Sequence, residues 1–153
     1  MASRKHLRKP AGFRQKYSGW FSDKGRFFRL PMLSVRLISP SGRSLITNAL
    51  VDSGATVSFL PPDLAGALGL LRKKKEVSYG AGGSFSVWSS TVSIQYLKKG
   101  RAMSAPERVE VRVPYSGRCI PYAVLGRDSV FLLYNVMFRE RAQTIELISP
   151  GKS

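Results

Sequence analysis

Between Leu45 and Leu60 an acidic residue is set between two apolar runs, and no other stretch restricts the fold as much. Ala49, Leu50 and Val51 lead into Asp52-Ser53-Gly54-Ala55, and Val57, Phe59 and Leu60 lead away from it. The flanking residue types favour strands, so the acid stands on a tight turn between two of them. Ser53 supplies a hydroxyl there, and Gly54 permits close backbone approach or a positive φ. Such a turn, buried on both sides, presents a carboxylate at the floor of a cleft. Alone, Asp-Ser-Gly is ordinary turn chemistry.

Two further elements give it meaning. Val77-Ser78-Tyr79-Gly80-Ala81-Gly82-Gly83-Ser84-Phe85-Ser86-Val87 reads as two strand arms around a glycine-rich tip, a hairpin whose end lets backbone approach a ligand. Ala123-Val124-Leu125-Gly126-Arg127-Asp128 is another apolar run closed by a glycine turn, and Ser129 to Tyr134 after it reads as a short helix.

In order and spacing, the three elements together resemble the retropepsins, the single-domain aspartic proteases of retroviruses and their cellular and prokaryotic relatives, over Met32 to Ile148. The resemblance implies that Asp52, with Ser53 and Gly54, is the catalytic turn. It also implies that the hairpin from Tyr79 to Phe85 is a flap closing over substrate, with Ala81 at its apex. Ala55, Tyr79, Gly80, Ala81, Gly82 and Gly83 then touch substrate, while Leu125, Gly126, Arg127 and Asp128 pack behind the turn. Tyr79, Phe85 and Trp88 are pocket-wall candidates, with packing under the hairpin an equal alternative for Trp88. In the retroviral enzymes the arginine matching Arg127 pairs with an aspartate where this chain has Thr56, so Arg127 is left to Asp128 or a neighbouring carboxylate.

Peptide hydrolysis by carboxylates needs two of them, one to take a proton from water and one to give a proton to the carbonyl oxygen. This chain has one such turn, so the expectation is a homodimer acting on a polypeptide substrate, each copy supplying Asp52. The C-terminal strand, Gln143 to Ile148, is the expected interface. Other chemistries are poorly supplied. The one histidine, His6, lies in a basic leader and the one cysteine is Cys119, so a Ser-His-Asp triad, a Cys-His pair, a histidine zinc site and an internal disulfide all lack partners. No cofactor and no metal are implied.

The rest of the chain reads as short strands. Leu33, Val35 and Leu37 alternate with polar residues, as do Val92, Ile94 and Tyr96, and Val109, Val111 and Val113. Ser39-Pro40-Ser41-Gly42 and Lys98-Lys99-Gly100-Arg101 are turns, and Pro61-Pro62-Asp63 starts a helix over Leu64 to Leu68. The fold class is therefore all-β, a closed antiparallel barrel-like single-lobe domain over residues 31–150 with one or two short helices.

Residues 1–30 form a separate leader. Up to Arg29 it holds nine Lys and Arg against one acid, about half of the formal +16. Such a run reads either as a solvated tail or, given Phe13, Tyr17, Trp20, Phe21, Phe27 and Phe28, as a segment docking on nucleic acid, a lipid surface or the core itself. With no apolar run long enough to span a bilayer and no secretory signal, a cytoplasmic chain is expected. Two other readings stay open: a retropepsin-like dimerisation or binding domain with little proteolysis, and a basic β-barrel that binds nucleic acid.

Overall fold

The computed structural model describes residues 9–116 and 120–151; His6 and Cys119 lie outside them. The chain opens with three short strands, β1 (Phe13–Lys16), β2 (Ser18–Phe21) and β3 (Phe27–Leu30). Next come β4 (Met32–Ile38) and β5 (Ser44–Val51), which runs directly into Asp52. Beyond the turn lie β6 (Ser58–Phe59), α1 (Pro62–Ala67), β7 (Glu76–Gly80), the long β8 (Gly83–Lys98), β9 (Arg101–Ala102) and β10 (Glu107–Pro114). The chain closes with β11 (Ala123–Leu125), α2 (Val130–Leu133), β12 (Asn135–Arg139), a 3-10 turn and β13 (Thr144–Ile148).

Six strands close a barrel in the order β10-β6-β11-β5-β4-β8, and β8 pairs back onto β10. Its interior is the alternating set that the sequence marks: Leu33, Val35 and Leu37; Val92, Ile94 and Tyr96; Val109, Val111 and Val113. Two pairings, β10 with β6 and β11 with β5, are parallel, in a sheet otherwise antiparallel. β11 lies between β5 and β6, so these two strands, though consecutive in the chain, do not pair with each other.

Where the sequence suggests a flap arm and a separate strand, one sixteen-residue strand runs from Gly83 to Lys98. Ser89, Ser90, Thr91 and Ser93 break nothing, since none needs a turn conformation, and Thr favours a pleated surface. The first half of β8 pairs with β7 outside the barrel and the second half with β4 inside it. Flap and barrel are therefore one continuous lever. No helix among the described residues is long and apolar enough to cross a membrane.

The leader is tied to the barrel from Ala11 onward, where Ala11 N donates to Met103 O at 2.7 Å. Strand β1 pairs with β13, Phe13 stands edge-on to Tyr134, and Tyr17 is buried in the core. Of the leader's aromatic residues, Phe13 and Tyr17 meet the chain's own core, while Phe21, Phe27 and Phe28 are exposed. Strand β13 is held on one side by β1 and on the other by β12. At the interface expected from Gln143 to Ile148, both ladder edges of that strand are occupied within the chain, so it has no free edge to pair with a second copy.

Tyr17 donates from its hydroxyl to Glu140 Oε2 at 2.9 Å. Burial, then this hydrogen bond and the Glu140 charge, push its hydroxyl up from 10.0 to about 12. The neutral phenol is thus favoured in the folded chain, and the stability it contributes is whole below pH 10 and lost as pH rises to about 12. Tyr17→Phe should cost about 1 kcal/mol at pH 8. Urea midpoints measured against pH should show that gap closing between about pH 10 and 12, whereas a constant gap would contradict this account.

Candidate active site

Strand β5 ends where its backbone is taken over by neighbours. Val51 N donates to Pro31 O at 2.9 Å and Asp52 N donates to Leu125 O at 3.0 Å. Parallel pairing of Ala49 to Val51 with Ala123 to Leu125 fixes the register at the point where the acid appears. The turn then closes on itself: Ala55 N donates to Asp52 O at 3.2 Å, and Gly54 N donates to Asp52 Oδ1 at 2.8 Å. Asp52 is half-buried, and Ser53 and Gly54 are exposed at the apex.

Behind the turn the chain passes so closely that no side chain fits between. A Cβ on Gly126 would stand 2.6 Å from Val57 C and 2.8 Å from Ala55 O, distances that real Cβ atoms do not adopt. Arg127 N donates to Ala55 O at 2.8 Å. Ser58, buried at the start of β6, is the hub of a polar cluster. Its hydroxyl accepts from Gly126 N at 3.0 Å and donates to Asp128 Oδ1 at 2.7 Å, while its N–H donates to Asp128 Oδ2 at 3.2 Å. Ser129 Oγ lies 3.0 Å from the Ser58 hydroxyl and donates to Gly126 O at 3.1 Å. Asp128 is thereby committed to Ser58, which corrects the expected pairing with Arg127. Arg127 is exposed and forms no ion pair among the described residues.

A cleft of about 630 Å³ opens over the turn. Asp52, Gly54, Ala55, Thr56 and Val57 form its floor, and Ser78, Tyr79, Gly80, Ala81 and Phe85 of the β7–β8 hairpin line the opposite side. Gly80 pairs with Gly83 across an Ala81-Gly82 tip, and Gly83 needs to be glycine because its φ is +110°. Phe85 leans on Phe59 with ring centroids 6.0 Å apart. Trp88 is not a pocket wall. It is buried in the barrel and absent from the cleft lining. Leu125 and Gly126 are likewise buried and lie outside the cleft.

Sequence reasoning did not find Arg112, whose Nη1 donates to the buried Ser78 Oγ at 3.1 Å, bringing a cation to the cleft wall and tying the flap base to β10. Ile120 and Val124 also line the cleft, and their only signal was alternation with buried neighbours. Ser58 gave less, since a serine within an apolar run looks like a strand's solvent face. Among the described residues no group of three or more His, Cys, Asp or Glu could hold a metal ion.

Comparison with known proteins bears on the family and the fold. Residues 41–128, which span the turn, the hairpin and Gly126-Arg127-Asp128, match the family model described as aspartyl protease. EIAV protease, solved in complex with the inhibitor HBY-793, is 30% identical over 68% of this chain and 88% of its own, with a TM-score of 0.45. A retropepsin-like aspartic protease from Rickettsia conorii covers 88% of this chain and 98% of its own at 14% identity and a TM-score of 0.53, a likeness of fold. The retroviral protease-like domain of Ddi1 from Leishmania major covers 80% of this chain and 96% of its own at 17% identity, with a TM-score of 0.45. No curated protein sequence matches the chain.

Gly126→Ala should lower stability by on the order of 3 kcal/mol in denaturant titrations, because the backbone carbonyls it meets cannot move aside without opening the turn. Gly82→Ala, with nothing within 4 Å of its Cβ, should cost less than about 1 kcal/mol. Equal costs would refute the close approach.

Proposed function

The chain belongs to the aspartyl protease family, and from that premise we propose that two copies pair about a twofold axis and hydrolyse peptide bonds with their two Asp52 carboxylates. The observation that carries this reading is the placement of Asp52. Its carboxylate lies at the floor of a cleft roofed by the β7–β8 hairpin, and Oδ1 is held by its own turn. Among the described residues Oδ2 accepts no hydrogen bond, which leaves an oxygen for water or for a second acid.

Two carboxylates about 3 Å apart cannot both ionise cheaply, so the pair shares a proton. The ionised member takes a proton from a water lying between them, and the oxygen of that water adds to the peptide carbonyl carbon. The protonated member gives its proton to the carbonyl oxygen. When the tetrahedral intermediate collapses, the C–N bond breaks and the amine leaves with a proton returned by the dyad. The two ionisations belong to the pair and not to either copy. Ser53, exposed at the apex, bridges the two turns through its hydroxyl; with no base beside it, it is no nucleophile.

The substrate lies as an extended strand between the turn and the hairpin, so alternate side chains enter pockets. Closure of the Gly80 to Gly83 tip, with Ala81 foremost, excludes water and offers backbone N–H groups. For the second copy, the outer edge of β12 supports the reading best. It has no ladder partner among the described residues, and Met137 and Phe138 are exposed on it. Antiparallel pairing of two β12 strands would continue the sheet from one copy into the other.

Wild type and Asp52→Asn should be incubated with peptide libraries between about pH 4 and 7, the range of a shared-proton dyad. Cleavage should fall by on the order of 10³-fold in the variant, and a statine-type inhibitor should block the wild type. Specific activity should drop on dilution, and Phe138→Asp should move that drop to higher protein concentration. Cleavage that survives Asp52→Asn would sink the proposal.

A further inference from the structure

The β2–β3 hairpin is a two-stranded sheet of its own, and such a ribbon is marginal without something to pack on. Both of its ends are fixed, the second of them near the acid. Tyr17, just before it, is buried in the core, and Pro31, just after it, accepts from Val51 N one residue short of Asp52. Its position is set by a side chain: Trp20 stands edge-on to Tyr122, with ring centroids 5.0 Å apart and planes at 89°.

Tyr122 is half-buried and lies in the chain between Ile120 and Val124, which line the cleft with Asp52, while Tyr122 itself is not among the lining residues. The Tyr122 hydroxyl is raised by burial and, next, by the negative charge of Asp52, as this neighbourhood requires. On the hairpin Trp20 lies opposite Phe28, and residues paired across two strands share a face. Phe28 is 43% exposed, and the Arg26 guanidinium lies 5.8 Å from its ring centroid. Phe21 and Phe27 pair on the other face, 69% and 52% exposed. An aromatic series edged by a cation therefore runs from Tyr122, whose chain neighbours Ile120 and Val124 line the cleft, to Trp20 and Phe28.

We propose that Trp20, Tyr122 and Phe28 form an outer substrate subsite that takes a large apolar or aromatic side chain of the bound polypeptide, with Arg26 contacting an acidic side chain beside it. The inference rests on the protease reading and names the substrate feature that the cleft prefers away from the scissile bond. Two observations select substrate as the occupant. The surface starts at Tyr122, between two residues that line the cleft holding Asp52, and the hairpin around it carries Lys24, Arg26 and Arg29 against Asp23 alone, complementary to an acidic peptide.

The test digests one peptide library with the full-length wild type, Trp20→Ala, Trp20→Phe, Arg26→Ala and Phe21→Ala, and sequences the products by mass spectrometry. Wild type should enrich large apolar or aromatic residues at one position three or more residues from the scissile bond, with Asp or Glu next to it. Trp20→Ala should cut the apolar enrichment at least fivefold and raise KM about tenfold for peptides carrying it, Trp20→Phe should restore both, and Arg26→Ala should erase only the acidic preference. Phe21→Ala, on the hairpin's other face, should keep the wild-type profile. An unchanged outer preference in Trp20→Ala, a loss spread evenly over all peptides, or dissociation of the dimer by Trp20→Ala in sedimentation would overturn the subsite and leave the protease reading standing. A wild type that cleaves nothing would overturn both.

Discussion

The Asp52 turn exists in its observed form because two stretches of backbone meet with no side chain between them. Gly126 lies against the carbonyls of Ala55 and Val57, Arg127 N reaches Ala55 O, and Asp52 N reaches Leu125 O. A turn held only by its own hydrogen bonds would sample many conformers, since ordering each residue's backbone costs on the order of 1–2 kcal/mol. Clamped from behind by a parallel strand, it holds a carboxylate in one place. Ser58 and Asp128 complete the clamp by satisfying the buried polar groups that close backbone contact would otherwise strand.

The β7–β8 hairpin stands opposite this fixed floor. The flap hairpin shares β8 with the barrel, so its base is as well paired as any core strand, while its tip is two glycine-flanked residues outside the barrel. Arg112 ties the base of the hairpin to β10 through Ser78. The acid thus faces the hairpin across a cleft whose floor is held in place by backbone contacts.

The basic leader has a different standing in the fold than its charge suggests. Its described cations are exposed, while Phe13 and Tyr17 pack on the core and Trp20 packs on Tyr122. Residues that look like a nucleic-acid signature in one dimension serve in three as the anchors of a strand and a hairpin beside the cleft. Net charge speaks to association and solubility, and says little about where an aromatic ring will pack.

Local chemistry was legible from the residues alone. Alternation in Leu33-Val35-Leu37 and Val109-Val111-Val113 marks barrel strands because a strand's period of two is a property of the backbone. The Asp52 turn, the Gly80 to Gly83 tip and the Gly126 turn announce themselves because few residues tolerate those conformations or contacts. What pairs with what was not legible. The parallel insertion of β11, the choice of Ser58 by Asp128 over the neighbouring Arg127, the burial of Trp88 and the contact of Trp20 with Tyr122 all join residues far apart in the chain. Nothing in a serine, an aspartate or a tryptophan records which distant surface will meet it. Those contacts are chosen by closure of the barrel, which brings the ends of strands together only after every strand has found its neighbours.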